Sequence, residues 1–334
     1  MKRFRLLLLC AATCFCAAVS RADVALLVED PAGYKGFLSD SGHLAIWISD
    51  ACVGVEGRIT PCNGGGGVVL SSTSYWLRKG WAAIPAQTYL DGVAGKSETI
   101  AWSDTLHAAY PEVPINYGRK YIGRLNHRGV YVLRLHTSSE QDAQVLEGIQ
   151  QGRNQFHYAV WTNNCSDFAR QVLQLYFPGE FGRRIFPDFG ITTPHGVANR
   201  LWKLAKKTPA LDMRVYYIPR RTRAGHIHDG RTKGICEAAT TDVKYAAPLI
   251  FYQPLIYAAF GVCYVTLDQP GFMHRGFARD AERLSSVDEL DLDTMMRIPP
   301  SPEDEWDLIA LDEAASGDYE FLFRNYFPLG PDGM

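Results

Sequence analysis

The chain opens MKRFRLLLLCAATCFCAAVSRA, where Lys2, Arg3 and Arg5 precede an apolar run from Leu6 to Val19 and small residues at Ser20 and Ala22. This is the pattern of a secretion signal, with cleavage expected after Ala22. The apolar run is short for a membrane span of about 20 residues, and Cys10, Cys14 and Cys16 lack a lipoprotein context. Export decides the chemistry of the remaining cysteines, because an oxidising compartment pairs them. Removing three of eight leaves Cys52, Cys62, Cys165, Cys236 and Cys263, which is an odd number. Cys52 and Cys62 are spaced like hairpin partners, and Cys236 and Cys263 flank one C-terminal segment; four cysteines nevertheless allow three connectivities. Cys165 is the natural one left over.

The 312 residues that follow the signal (334 minus 22) suffice for one large or two ordinary domains. We expect a signal peptide over 1–22, a domain over 23–217 and a C-terminal extension over 218–334. A net charge of −2 and 12% aromatic residues argue against disorder and give no reason to expect a nucleic-acid partner.

Strands are expected at Gly42–Ile48, Gly67–Ser72, Gly129–His136 and, more briefly, Tyr158–Trp161, from apolar runs punctuated by turn residues. Thr137-Ser138-Ser139 followed by Glu140 and Asp142 predicts a helix to about Gly152. Cys165, Phe168, Ala169, Val172, Leu175 and Tyr176 recur at helical spacing between Asn164 and the stop at Pro178-Gly179. Thr193-Pro194 opens another helix, with Lys203, Lys206 and Lys207 near its C-terminal end. The fold class is mixed α+β. A basic, Gly-containing stretch at 218–234 marks the boundary. Beyond it, Tyr245–Leu267 carries no charge over 23 positions, long enough for a membrane span. Pro248, Gln253, Pro254 and four tyrosines suit a buried or interfacial segment better. From Ser285 onward the sequence is acidic and reads as a solvated tail.

Asn164 is a good N-cap, with Asp167 three residues on, which puts Cys165 at the first helical position. Unsatisfied N–H groups and the positive end of the helix dipole favour a thiolate there, and the same groups with the Asn164 side chain could meet a developing oxyanion. A small apolar cysteine on the inward face of a helix is the bland alternative. A cysteine nucleophile needs a base, usually histidine from elsewhere in the chain. His43 begins an apolar strand beside the small Ala45; His157, eight residues before Cys165, and His136, ending another strand, are rivals. To orient the imidazole, Glu56 is the best-spaced candidate, 13 positions after His43 (56 minus 43), and Ser71 is the alternative.

GHLAIWI at 42–48, followed about 120 residues later by NNCSDFA at 163–169, resembles the circularly permuted branch of the NlpC-type papain-like superfamily. That branch includes lecithin retinol acyltransferase-like enzymes and uncharacterised bacterial exported domains. The resemblance covers roughly Gly42 to Tyr176, and extends towards Lys207 through ITTPHGVANRLWKL. It implies a permuted papain-like antiparallel sheet packed against helices, with His43 as general base and Cys165 as nucleophile. It implies amide or peptide bonds of cell-wall type, or fatty-acyl esters, as substrates of an exported, periplasmic or secreted thiol hydrolase or acyltransferase. The other reading is an inactive papain-like binding or envelope-assembly module.

No cofactor is expected. His226 and His228 lack a third metal ligand in view, and Gly64–Gly67 lacks the Lys and Ser/Thr of a phosphate loop. Asn164-Cys165-Ser166 fits a glycosylation sequon but falls at a packed helix start. Partners are therefore a peptide or lipid-type envelope substrate and, through Tyr245–Leu267, a membrane surface.

Overall fold

The computed structural model describes residues 21–31, 42–53, 59–62, 67–72, 81–86, 89–90, 129–152, 159, 162–183, 190–218, 232–266 and 282–283. Glu56, His157, His226, His228, Gly64, most of the basic stretch and the acidic tail lie outside these residues. So do the segment up to Ser20, expected to be the body of a signal peptide, and most of the strand expected at Tyr158–Trp161, of which Ala159 makes an isolated bridge with Asn163.

β1 (Arg21–Glu29) begins two residues before the expected cleavage point and is central to the fold. It lies between β2 (His43–Ile48) and β7 (Val130–Ser138), antiparallel to both. β5 (Val68–Ser71) and β6 (Ala82–Pro85) extend the sheet beyond β2, and β8 (Arg214–Ile218) extends it beyond β7. The order is β6-β5-β2-β1-β7-β8-β9; β9 (Glu282–Arg283), from the expected C-terminal extension, pairs in parallel with β8. A separate ribbon of β3 (Ala51–Val53) and β4 (Ile59–Pro61) is closed by the Cys52–Cys62 disulfide.

Alternation along the central strands decides what the sheet carries. Val24, Leu26 and Val28 face the same side as Leu44, Ile46, Ile48, Leu133 and Leu135. Three helices cover that side: α1 (Ser139–Gly152) with Val145, Leu146 and Ile149; α2 (Cys165–Tyr176) with Phe168, Val172 and Leu173; and α3 (Pro194–Lys207) with Val197 and Leu201. Each such side chain contributes roughly 1.5–3 kcal/mol by leaving water. The opposite side is also closed to solvent at Ala25, Leu27, Ala45 and Trp47. A central strand buried on both faces reads as a continuous apolar run, as VALLV does. The architecture is thus an antiparallel sheet with helices, mixed α+β.

The apolar stretch after 244 does not form one helix. α4 (Ile235–Thr241) leads into α5 (Val243–Tyr252), and Pro254 begins α6 (Pro254–Thr266). Among the described residues no helix is long and apolar enough to cross a membrane. A second disulfide, Cys236–Cys263, ties α6 to α4. Two disulfides indicate a non-reducing environment.

Candidate active site

Pairing of the other four cysteines leaves Cys165 as the free thiol among the described residues. It sits at the first position of α2 because the local sequence builds an N-terminus there. Asn164 has extended backbone, and its Oδ1 accepts from the N–H of Ser166 at 2.8 Å and of Asp167 at 3.0 Å. Asp167 returns the favour, accepting from the Asn164 N–H at 3.4 Å and completing a capping box. The box is itself anchored. Asn164 Nδ2 donates to the Thr192 carbonyl at 3.0 Å, Thr192 Oγ1 donates to Asp167 Oδ1 at 2.5 Å, and Arg170 and Arg183 flank the Asp167 carboxylate at 3.4 and 3.8 Å. Asn164 is therefore a positioning residue whose carbonyl oxygen and amide already have partners.

α2 packs on β2, and its first residue, Cys165, lies at the start of that strand, beside the His43 side chain and the Leu44 backbone amide. Burial of the Cys165 thiol pushes its pKa up. The opposing influences are larger: the charge of His43, a hydrogen bond from that side chain, the backbone amide of Leu44 and the Ser166 hydroxyl together hold it below the ordinary thiol value. Ser166 Oγ is 3.9 Å from Sγ. On its other side the imidazole is held by Ser71, whose Oγ lies 2.9 Å from Nε2. Ser71 is buried on β5, opposite Ala45 in the ladder, so the small residue beside His43 faces the orienting hydroxyl. Of the two orienting residues expected from sequence, Ser71 is thus at the imidazole, while Glu56 lies outside the described residues.

Two contributors to this geometry were not legible as site residues. Gly42 has φ +73°, and a Cβ there would stand 2.4 Å from the Glu29 carbonyl and 2.8 Å from Thr232 Oγ1. Glycine is required for the turn that delivers His43 onto β2. Glu29, the cross-strand partner of His43, is buried and accepts a hydrogen bond from Tyr89. The glycine before an apolar run was a visible signal; Tyr89, 60 residues from Glu29, left none.

His136 is placed elsewhere. It pairs with Asp23, at the far end of β1 from Glu29, and its Nε2 lies 3.3 Å from Asp212. Six residue steps along β1, from Asp23 to Glu29, separate the two ends by roughly 20 Å, so His136 does not serve Cys165. An open cavity of about 460 Å³ lined by Trp202, Lys206, Asp212 and Arg214 also lies at that remote end.

Cys165 and His43 thus form a sulfur–imidazole pair at a helix N-terminus, with Ser71 behind the histidine. Comparison of the chain with protein-family models, curated proteins and solved structures gives no match.

Proposed function

We propose that this chain is an exported cysteine hydrolase or acyltransferase of permuted papain-like fold, acting on an amide, peptide or acyl-ester bond of an envelope substrate. The observation that carries the proposal is the free Cys165 thiol at the capped N-terminus of α2, with His43 beside it and Ser71 Oγ 2.9 Å from the imidazole Nε2. His43 takes the thiol proton. The sulfur attacks the carbonyl carbon, and the C–N or C–O bond to the leaving group breaks as His43 returns the proton to it. The resulting thioester is resolved by water in a hydrolase, or by an amine or alcohol in a transferase, with His43 again accepting the proton. Since the Ser166 and Asp167 N–H groups donate to Asn164, the Cys165 N–H is the donor we assign to the oxyanion. Ser71 fixes the imidazole orientation, and Asn164 fixes the helix start.

The test is trapping. Mature protein incubated with fluorogenic acyl esters and with peptidoglycan-type peptides should accumulate an acyl mass on Cys165, visible by intact and peptide mass spectrometry. Cys165→Ala should abolish both label and turnover. A reactive, correctly folded Cys165 that never acylates on any of these substrates would instead favour an inactive binding module.

A further inference from the structure

The second half of the chain exposes apolar side chains that nothing in the thiol chemistry uses. α6 reads PLIYAAFGVCYVT, without a charged residue and without a polar stripe on any face, yet Cys263 is its single buried residue. Leu255 is 85% exposed, and Phe251 and Tyr252 at the end of α5 are each 81% exposed; Ile250, Ile256, Val262 and Val265 are also on the surface. Isolated exposed apolar residues are ordinary, but a helix pair with this many, whose one charged residue is Lys244 near its start, is not.

We infer that the α5–α6 hairpin is a shallow membrane anchor, its tip at Phe251, Tyr252, Leu255 and Ile256 entering one leaflet of a phospholipid bilayer. Length fits one leaflet and excludes a span. At about 1.5 Å per residue, α5 and α6 reach roughly 15 and 20 Å, against a hydrocarbon core of about 30 Å. The backbone is suited to lipid as well. At the helix junction the Gln253 N–H donates to Leu249 and the Gln253 carbonyl accepts from Tyr257, while Pro254 has no N–H to satisfy. Lys244 stands at the base of the hairpin, 4.8 Å over the Tyr245 ring. The sequence leading into α4 carries Arg220, Arg221, Arg223 and Arg231 against Asp229, a charge balance complementary to anionic headgroups. The Cys236–Cys263 disulfide fastens α6 to α4, giving the anchor a fixed base.

Other occupants fit less well. A helix that docks on protein presents an apolar stripe and keeps a polar back, whereas α6 is apolar all round. The chain's own C-terminal sequence carries Asp288, Glu289, Asp291 and Asp293, whose carboxylates would lose water against a charge-free surface.

The experiment is vesicle flotation of the full mature chain with phosphatidylcholine alone and with added phosphatidylglycerol. A Tyr252→Trp version reports depth through quenching by brominated lipid. The wild type should float with vesicles, more so with the anionic lipid, and the indole should be quenched. Phe251→Ser with Leu255→Ser should weaken partitioning about ten-fold or more while leaving the melting temperature unchanged, both side chains being exposed. Cys165→Ala should bind as the wild type does, which separates anchoring from catalysis. The inference is overturned by absence of flotation on both vesicle types, by flotation without quenching, or by unaltered partitioning of the double variant. It is equally overturned if light scattering shows a dimer that the double variant dissolves and that does not bind vesicles.

Discussion

Replacing Asn164 separates the two tasks of the α2 N-terminus, which holds the fold and sets the sulfur. In Asn164→Ala the Ser166 and Asp167 N–H groups lose their shared acceptor, and the Thr192 carbonyl loses its donor. Loss of a cap costs about 1–2 kcal/mol, and the orphaned carbonyl adds about 1 kcal/mol. The sum, about 2–3 kcal/mol, is a large part of a typical total of about 5–15 kcal/mol. Asn164→Asp keeps the acceptor for both N–H groups, so the cap survives, although the donor to the Thr192 carbonyl is lost as in the alanine variant. It adds a carboxylate beside Cys165, however, and a like charge disfavours the thiolate, raising the thiol pKa by about one unit. Urea denaturation measures the first effect, and the pH dependence of iodoacetamide alkylation measures the second. An Asn164→Ala protein that unfolds within about 0.5 kcal/mol of wild type would show that the cap does not hold α2, and an unshifted alkylation profile in Asn164→Asp would show that the helix start does not set the sulfur.

Two further outcomes are expected. Ser71→Ala should leave α2 and the thiol in place but release the imidazole, lowering acyl transfer by about ten-fold through kcat, with little change in KM; a KM effect alone would assign Ser71 to substrate binding. Asp142 is fully buried, its Oδ1 accepting from Thr137 and Tyr176, and burial, with a smaller contribution from the Asp50 charge, pushes its pKa up to about 6. The folded state then holds a proton that the unfolded chain releases near pH 3.8, so stability present at low pH is lost as pH rises through about 6. The loss approaches about 3 kcal/mol at most. Denaturation midpoints between pH 4 and 8 should fall in the wild type and flatten in Asp142→Asn; a flat wild-type profile would contradict it.

How much of this was readable from sequence follows from how local each determinant is. The α2 cap, Asn164 with Asp167, and the Thr193-Pro194 start of α3 are set by neighbours three residues apart, and both stand where expected. β2, β5 and β7 announced themselves as apolar runs between turn residues. β1 did not, because Arg21 and Ala22 belong to the presumed end of the signal and both faces of the strand are buried, which erases alternation. At the candidate site, Cys165 and His43 stood out by residue type and placement, and the fold brings them side by side. The choice between Ser71 and Glu56 was not, since orientation of the imidazole depends on which strand adds to β2, and β5 does so through a ladder fixed only in three dimensions. The approach of the Glu29 carbonyl to Gly42 is likewise invisible until β1 and β2 are paired. Most of the hairpin was readable as the charge-free segment Tyr245–Leu267, but its division into two short helices turns on Gln253 and Pro254, and its exposure on packing.

Activation of the Cys165 thiol by His43 is tested most directly by alkylation of Cys165 across pH 4 to 9, in the wild-type protein and in His43→Ala. Reaction well below the free-thiol value of about 8.5, lost or shifted upward when His43 is removed, is the predicted result. A Cys165 that alkylates like a free thiol, or that ignores the loss of His43, would show that the imidazole does not activate the sulfur.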